Sequence, residues 1–113
     1  MKSGFPSPPA WHQDLVTVGV TGTNGKTTTT TFVAAGLGTL QKPVPWITTL
    51  GSYLNDEQLK VSTGYAGFVE TMRAGRDRGA THAAAEYTSE ALARGFAQAW
   101  PCRIAVFTNL TRD

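Results

Sequence analysis

The chain carries a single cysteine, Cys102, which excludes an internal disulfide framework and a multi-cysteine zinc site. It has no long apolar run. The longest uncharged stretch, residues 27–41, is rich in Thr and Gly and falls short of the roughly 20 apolar residues a membrane helix needs. The first ten residues contain no apolar core of a signal peptide. Charge of one sign is also scarce: ten Lys and Arg stand against eight Asp and Glu, a net charge of +2. The basic residues are scattered, with only Arg73, Arg76 and Arg78 close together, whereas nucleic-acid binding calls for a denser stripe. The expectation is a soluble, cytoplasmic protein with neither nucleic acid nor membrane as partner. At 113 residues there is room for one domain, burying about two-thirds of its unfolded surface.

What is present suits a globular fold. Hydrophobic residues make up 41% of the chain, and three Trp, five Phe and three Tyr suffice to anchor one core. Residues 1–14 read as an N-terminal tail, because Pro6, Pro8 and Pro9 oppose both a helix and a central strand. Trp11 is the one tail residue expected to tuck back.

From Leu15 onward, short apolar runs alternate with longer amphipathic ones. Residues 15–20 are β-branched and uncharged, as a buried parallel strand would be. Residues 27–40 are predicted to be a helix with Phe32, Val33, Leu37 and Leu40 on its apolar face, ended by Pro43. Its threonines are poor helix formers, so context carries that assignment. A second strand is predicted at 44–49, and residues 51–62 form either a small hairpin or an excursion, with Asn55-Asp56 as a turn signal. A second helix follows at 65–78, using Phe68, Val69, Met72 and Gly75, with Gly79 as its cap. Residues 81–86 are a third strand by position alone, since Ala83-Ala84-Ala85 has poor strand propensity. A third helix is predicted at 89–100 with Leu92, Phe96 and Trp100 on one face, and a fourth strand at 103–108. This alternation predicts an α/β fold: a mainly parallel sheet of about four strands with helices on its faces.

The strongest chemical signal is Gly22-Thr23-Asn24-Gly25-Lys26-Thr27-Thr28, placed between the first strand and the first helix. Glycines allow the backbone to approach a phosphate closely. Successive N–H groups at a helix N-terminus form a nest for an anion. Lys26 can reach the outer phosphates as a point charge, and the Thr27 hydroxyl is suited to Mg²⁺. The strict pattern G-x-x-x-x-G-K-S/T fails at Val20, so a glycine-rich turn with an incidental lysine stands as the alternative.

Val18-Gly19-Val20-Thr21-Gly22-Thr23-Asn24-Gly25-Lys26-Thr27-Thr28 resembles the ATP-binding loop of the Mur ligases, the cytoplasmic enzymes that add amino acids to the peptidoglycan precursor. That family has the same displaced first glycine. The resemblance continues at Glu86-Tyr87-Thr88-Ser89-Glu90-Ala91-Leu92, which is similar to the family's Glu-Val-Ser-Ser-His-x-Leu segment. It reaches Val106-Phe107-Thr108-Asn109-Leu110-Thr111-Arg112-Asp113, similar to the stretch before the family's Asp-His-Leu-Asp motif. The nearest branch looks like the muramyl-tripeptide synthetases. Folylpolyglutamate and cyanophycin synthetases share the loop.

The resemblance implies binding of ATP and Mg²⁺, with carboxylate and amino-acid substrates for the complete enzyme. ATP phosphorylates a carboxylate to an acyl phosphate, which an amine then attacks to give an amide. It implies catalytic roles for Lys26 and Glu86, metal contacts from Thr27 and Glu86, and nucleotide contacts from residues 22–28 and Asn109. Glu86 also has an independent warrant, because ligands of open α/β sheets sit beyond the carboxyl ends of the strands and Glu86 ends one of them. The competing reading is a glutamate placed to suit the dipole of the following helix, which describes Glu90 better. Asn109 is equally well a strand-end turn residue. His12, His82 and Cys102 read as structural, Trp46 and Trp100 as core, and the three close arginines as a solvated face.

The family's outer domains and the second half of its ATP domain have no counterpart here. Thr88-Ser89-Glu90 replaces Ser-Ser-His, and Ser62-Thr63-Gly64 stands where the family often has Thr-Thr-Pro. The sequence therefore reads as the N-terminal half of a Mur-ligase-like ATP domain that binds nucleotide or phosphate without full ligase activity. Two alternatives remain: a non-catalytic binding subunit, or a folding unit that self-associates through an exposed sheet edge or apolar surface.

Overall fold

A computed structural model describes residues 6–108. The elements are β1 (Val16–Gly22), α1 (Lys26–Leu40), β2 (Pro45–Thr48), β3 (Gly51–Leu54), β4 (Glu57–Leu59), α2 (Gly64–Asp77), β5 (His82–Glu86), α3 (Ser89–Ala93), α4 (Phe96–Ala99) and β6 (Ile104–Thr108). They form one six-stranded open sheet of order β4-β3-β2-β5-β1-β6. Strands β2, β5, β1 and β6 are the parallel four expected from the sequence. Residues 51–59 settle the open question as a hairpin: β3 pairs antiparallel with β2, and β4 with β3. Asn55 makes the turn at φ 56° and seals it through Val44 N–H to its Oδ1 at 2.9 Å. Trp46 and Tyr53, opposite each other in register, stack at 4.2 Å.

β5 sits near the middle of the sheet because of its alanines. Ala83, Ala84 and Ala85 are all fully buried. Ala83 and Ala85 lie under Phe68, Met72 and Trp100, while Ala84 packs with Ala34 and Val44 on the other face. Large neighbours on both sides leave room for a methyl group only, so packing overrides strand propensity.

α1 covers one face. Its threonines fit the helix because Thr30 and Thr31 return their hydroxyls to the carbonyls of Lys26 and Thr27, at 2.7 and 2.8 Å. The predicted apolar face holds in part: Val33 and Leu37 pack against the cluster of Ala34, Val44 and Ala84. Thr30 and Ala34 are the buried residues, whereas Phe32 and Leu40 are 72% and 77% exposed. Close approach of helix to sheet leaves full burial to Thr30 and Ala34, with Val33 and Leu37 packed at their flanks and Phe32 and Leu40 outside the contact.

α2, α3 and α4 cover the opposite face. The single predicted helix over 89–100 is two short ones, broken at Gly95 with φ 92°. The break turns Phe96 and Trp100 into the core and leaves Leu92 at the surface. Trp100 is fully buried, its indole N–H donating to Thr17 Oγ1 at 3.0 Å, and its carbonyl accepts the Tyr87 hydroxyl. Phe68 and Phe96 meet edge to face at 4.8 Å.

Within the segment expected as tail, Ala10–Asp14 form a 3-10 turn that starts just after Pro9, where the prolines end. Trp11 packs edge-on against Trp100 at 5.4 Å, beneath the guanidinium groups of Arg73 and Arg76. Two of the three close arginines thus hold Trp11 down instead of facing only water. No described helix is long and apolar enough to cross a membrane.

Candidate functional site at the carboxyl edge of the sheet

β1 runs into a tight loop because Gly22 can take φ 134° and lie flush against Thr108, its register partner on β6. A Cβ at Gly22 would strike the Thr108 carbonyl and hydroxyl. Gly25 then enters α1 in the left-handed region at φ 77° and supplies no side-chain cap. No acidic residue occupies the first turn either, so no carboxylate of that turn offsets the positive end of the helix dipole. Lys26 lies over the same loop, its Nζ donating to Gly22 O at 3.1 Å and, at a longer 3.5 Å, reaching Thr23 O.

Glu86 meets this loop from β5. Pairing of β1 with β5 sets Val20 opposite Glu86, so β5 ends two residues before β1 does and its carboxylate reaches across to the helix that follows the loop. Glu86 Oε1 accepts the Thr27 hydroxyl at 3.0 Å and the backbone N–H of Thr49 at 3.0 Å. Thr49 Oγ1 lies 3.4 Å from Thr27 Oγ1. The first turn of α1 and the end of β2 therefore converge on one carboxylate oxygen at the end of β5.

Two cavities abut there. The smaller, about 280 Å³, is lined by Thr23, Asn24, Gly25, Lys26, Thr27, Thr28 and Glu86. The larger, about 720 Å³, lies between the β2–β3 turn, the start of α2 and α3, with Thr49, Leu50, Lys60, Ser62, Thr88 and Arg94 among its walls. Glu86 borders both.

The fold thus brings together the loop residues and Glu86, which the sequence placed on separate segments. Asn109 and Asp113 lie outside the described residues. Glu90 sits in the first turn of α3, as expected, while Thr88 caps that helix by accepting the Ala91 N–H at 3.1 Å. His12 bonds Pro9 O and packs on Trp100, His82 pairs with Thr81, and Cys102 lies against Gly19; none borders the two cavities. Among the described residues no cluster of three or more His, Cys, Asp or Glu could hold a metal alone. Sequence reading missed Thr49 and Thr108. Thr108 ends β6 and Thr49 directly follows β2 at the carboxyl edge, and that position was the available signal.

A mainly parallel open sheet with helices on both faces, whose first strand leads through a glycine-rich loop into a helix and whose neighbouring strand sets a carboxylate against that helix's first turn, defines a three-layer α/β domain. The Mur ligase middle domain model matches residues 20–113, and the chain belongs to that family. It is 42% identical over 106 residues to a UDP-N-acetylmuramoyl-L-alanyl-D-glutamate–2,6-diaminopimelate ligase of Xanthomonas campestris pv. campestris, covering 89% of this chain and 21% of the relative. It is 36% identical over 104 residues to the ligase of the same name from Corynebacterium glutamicum, covering 89% and 20%. A solved structure of a ligase with this name superposes with a TM-score of 0.74 at 31% identity, over 88% of this chain and 20% of that one. The chain spans about a fifth of the length of the relatives it matches.

Proposed function

We propose that this chain supplies the ATP-binding part of a Mur-ligase-type enzyme, an ATP-dependent ligase that joins a carboxylate to an amine in peptidoglycan precursor synthesis. The observation that carries this reading is the meeting of the two cavities at Glu86. A triphosphate in the small cavity would point its terminal phosphate toward an acceptor in the large one. The γ-phosphoryl group passes to a carboxylate oxygen with release of ADP, and an amine displaces phosphate from the acyl phosphate to leave an amide.

The residues fit such ligands. Gly22 and Gly25 form a cradle that a Cβ at Gly22 would disrupt. The hydroxyl of Thr27 and the carboxylate of Glu86 are hard oxygen donors of the kind Mg²⁺ takes, one or two protein oxygens sufficing where phosphates and water complete the shell. Bound there, Mg²⁺ would offset the charge that builds on the phosphates. Lys26 and the amides opening α1 would bind the phosphate oxygens. Lys60 and Arg94 line the acceptor cavity, which suits an anionic acceptor such as the muramyl peptide in the relatives' names. The enzyme so completed would work in the cytoplasm.

Calorimetric titration with Mg·ATP, with Lys26→Ala alongside, tests the reading. Binding by the wild type and its loss in the variant are expected. Absence of binding at millimolar nucleotide would overturn it.

One observation favours a second reading. Among the described residues β6 pairs with β1 alone, and Ile104 and Phe107 are 51% and 76% exposed on opposite faces of it. An open edge with apolar faces invites self-association. A non-catalytic unit that self-associates would show as a concentration-dependent mass in light scattering, without nucleotide binding.

A further inference from the structure

We propose that Thr108, at the end of β6, is a positioning residue that holds the loop between β1 and α1 in its anion-binding shape. The inference rests on the nucleotide reading above and adds to it a residue outside the loop. Thr108 Oγ1 lies 2.7 Å from the carbonyl oxygen of Asn24 and 3.0 Å from that of Thr21. A hydroxyl has one proton to donate, and the nearer Asn24 carbonyl is the better acceptor. In a trans peptide the C=O and the following N–H point in opposite directions. Tying Asn24 C=O to Thr108 therefore turns the Gly25 N–H away from Thr108. Residues 23–28 line the small cavity and Thr108 does not, so Thr108 stands behind the loop and the Gly25 N–H turns to the front.

A second contact fixes the same arrangement. Gly22 lies so close to Thr108 that a Cβ would collide with its carbonyl and hydroxyl. The loop is thus gripped at Gly22, where it leaves β1, and at Asn24, just before α1. Without the hydroxyl, the Asn24–Gly25 peptide loses this tie, and the amide that serves an anion is held less firmly in its binding orientation.

Thr108→Val removes the hydroxyl while keeping the shape, and Thr108→Ser keeps the hydroxyl. Thr108→Val should weaken Mg·ATP about tenfold, the value of one well-placed hydrogen bond. Thr108→Ser should stay within about twofold of the wild type at the same affinity assay. Melting temperatures should remain close for all three, which separates positioning from general destabilisation. Should Thr108→Val fail to fold, Thr108→Ala takes its place. Wild-type affinity in the hydroxyl-free variant would overturn the proposal. If the wild type itself binds no nucleotide, the functional reading fails, and hydrogen exchange at the Gly25 amide of ligand-free protein still decides the role of Thr108. Faster exchange in the variant than in wild type and Thr108→Ser supports it, and equal exchange overturns it.

Discussion

Thr27 Oγ1 donates to Glu86 Oε1 across 3.0 Å, joining two residues 59 positions apart. The same oxygen takes the Thr49 N–H, so both resolved donors to Glu86 converge on Oε1. Glu86 itself borders both cavities.

Glu86→Gln should separate metal from phosphate. An amide keeps an oxygen for the Thr27 and Thr49 donors but loses the charge that favours a divalent cation. Mg·ATP should bind at least about tenfold more weakly, as for loss of a charged contact. ATP in EDTA should bind no worse, because a negative charge near the phosphates has been removed. Calorimetry with and without Mg²⁺ reads both. An equal loss in the two conditions would count against a metal role for Glu86.

Gly22→Ala places a side chain where φ is 134° and where Thr108 already stands. Strain and collision together should cost at least about 2 kcal/mol. That lowers the melting temperature by roughly 8 °C in a domain of this size. Gly36→Ala is the contrast: its Cβ would meet nothing within 4 Å on α1. It should stabilise the helix by about 0.5–1 kcal/mol. Thermal unfolding of both variants gives shifts of opposite sign.

Trp11 tests whether residues 10–14 belong to the fold. Its ring contacts Trp100, with the Arg73 and Arg76 guanidinium groups each 5.7 Å from its centre. Trp11→Ala should cost about 2 kcal/mol, the worth of a half-buried aromatic. Arg76→Ala should cost only about 0.5 kcal/mol, because its ion pair with Asp14 is exposed. Chemical denaturation distinguishes the two. An unchanged midpoint for Trp11→Ala would make residues 10–14 a passive tail.

Most of the parallel sheet was legible because strand, glycine loop and helix alternate with distinct chemistry. The pattern failed where packing, not periodicity, decides. In α1 the helix lies so near the sheet that Thr30 and Ala34 are buried and Phe32 and Leu40 are not. Over residues 89–100 the apolar spacing suits one helix, but Gly95 adopts φ 92° and divides it. In the candidate site the loop announced itself through Gly22, Gly25, Lys26 and Thr27. Glu86 followed from the edge at which parallel strands end. Thr49 contributes its backbone N–H to Glu86, and no side-chain pattern records that. Thr108 was hidden because its partners, Asn24 and Thr21, lie more than 80 residues away.

Tyr87 should give the fold an alkaline limit. Its side chain is buried, and its hydroxyl donates to the Trp100 carbonyl. Burial pushes the phenol far above its ordinary value of 10, and the charges of Cys102 and Tyr65 push the same way. The folded state therefore keeps this proton where the unfolded chain releases it. Stability from this group is complete below pH 10 and declines as pH rises beyond it, by about 1.4 kcal/mol per pH unit. Tyr87→Phe removes the titration but strands a buried carbonyl, at a cost of about 1–3 kcal/mol at pH 7. The variant should start less stable and lose less between pH 9.5 and 11.5, so that the gap to wild type narrows. Urea unfolding across that range measures the gap directly. A gap that stays constant with pH would mean that Tyr87 ionises as readily in the folded protein as in the unfolded chain, which its burial against Trp100 does not allow.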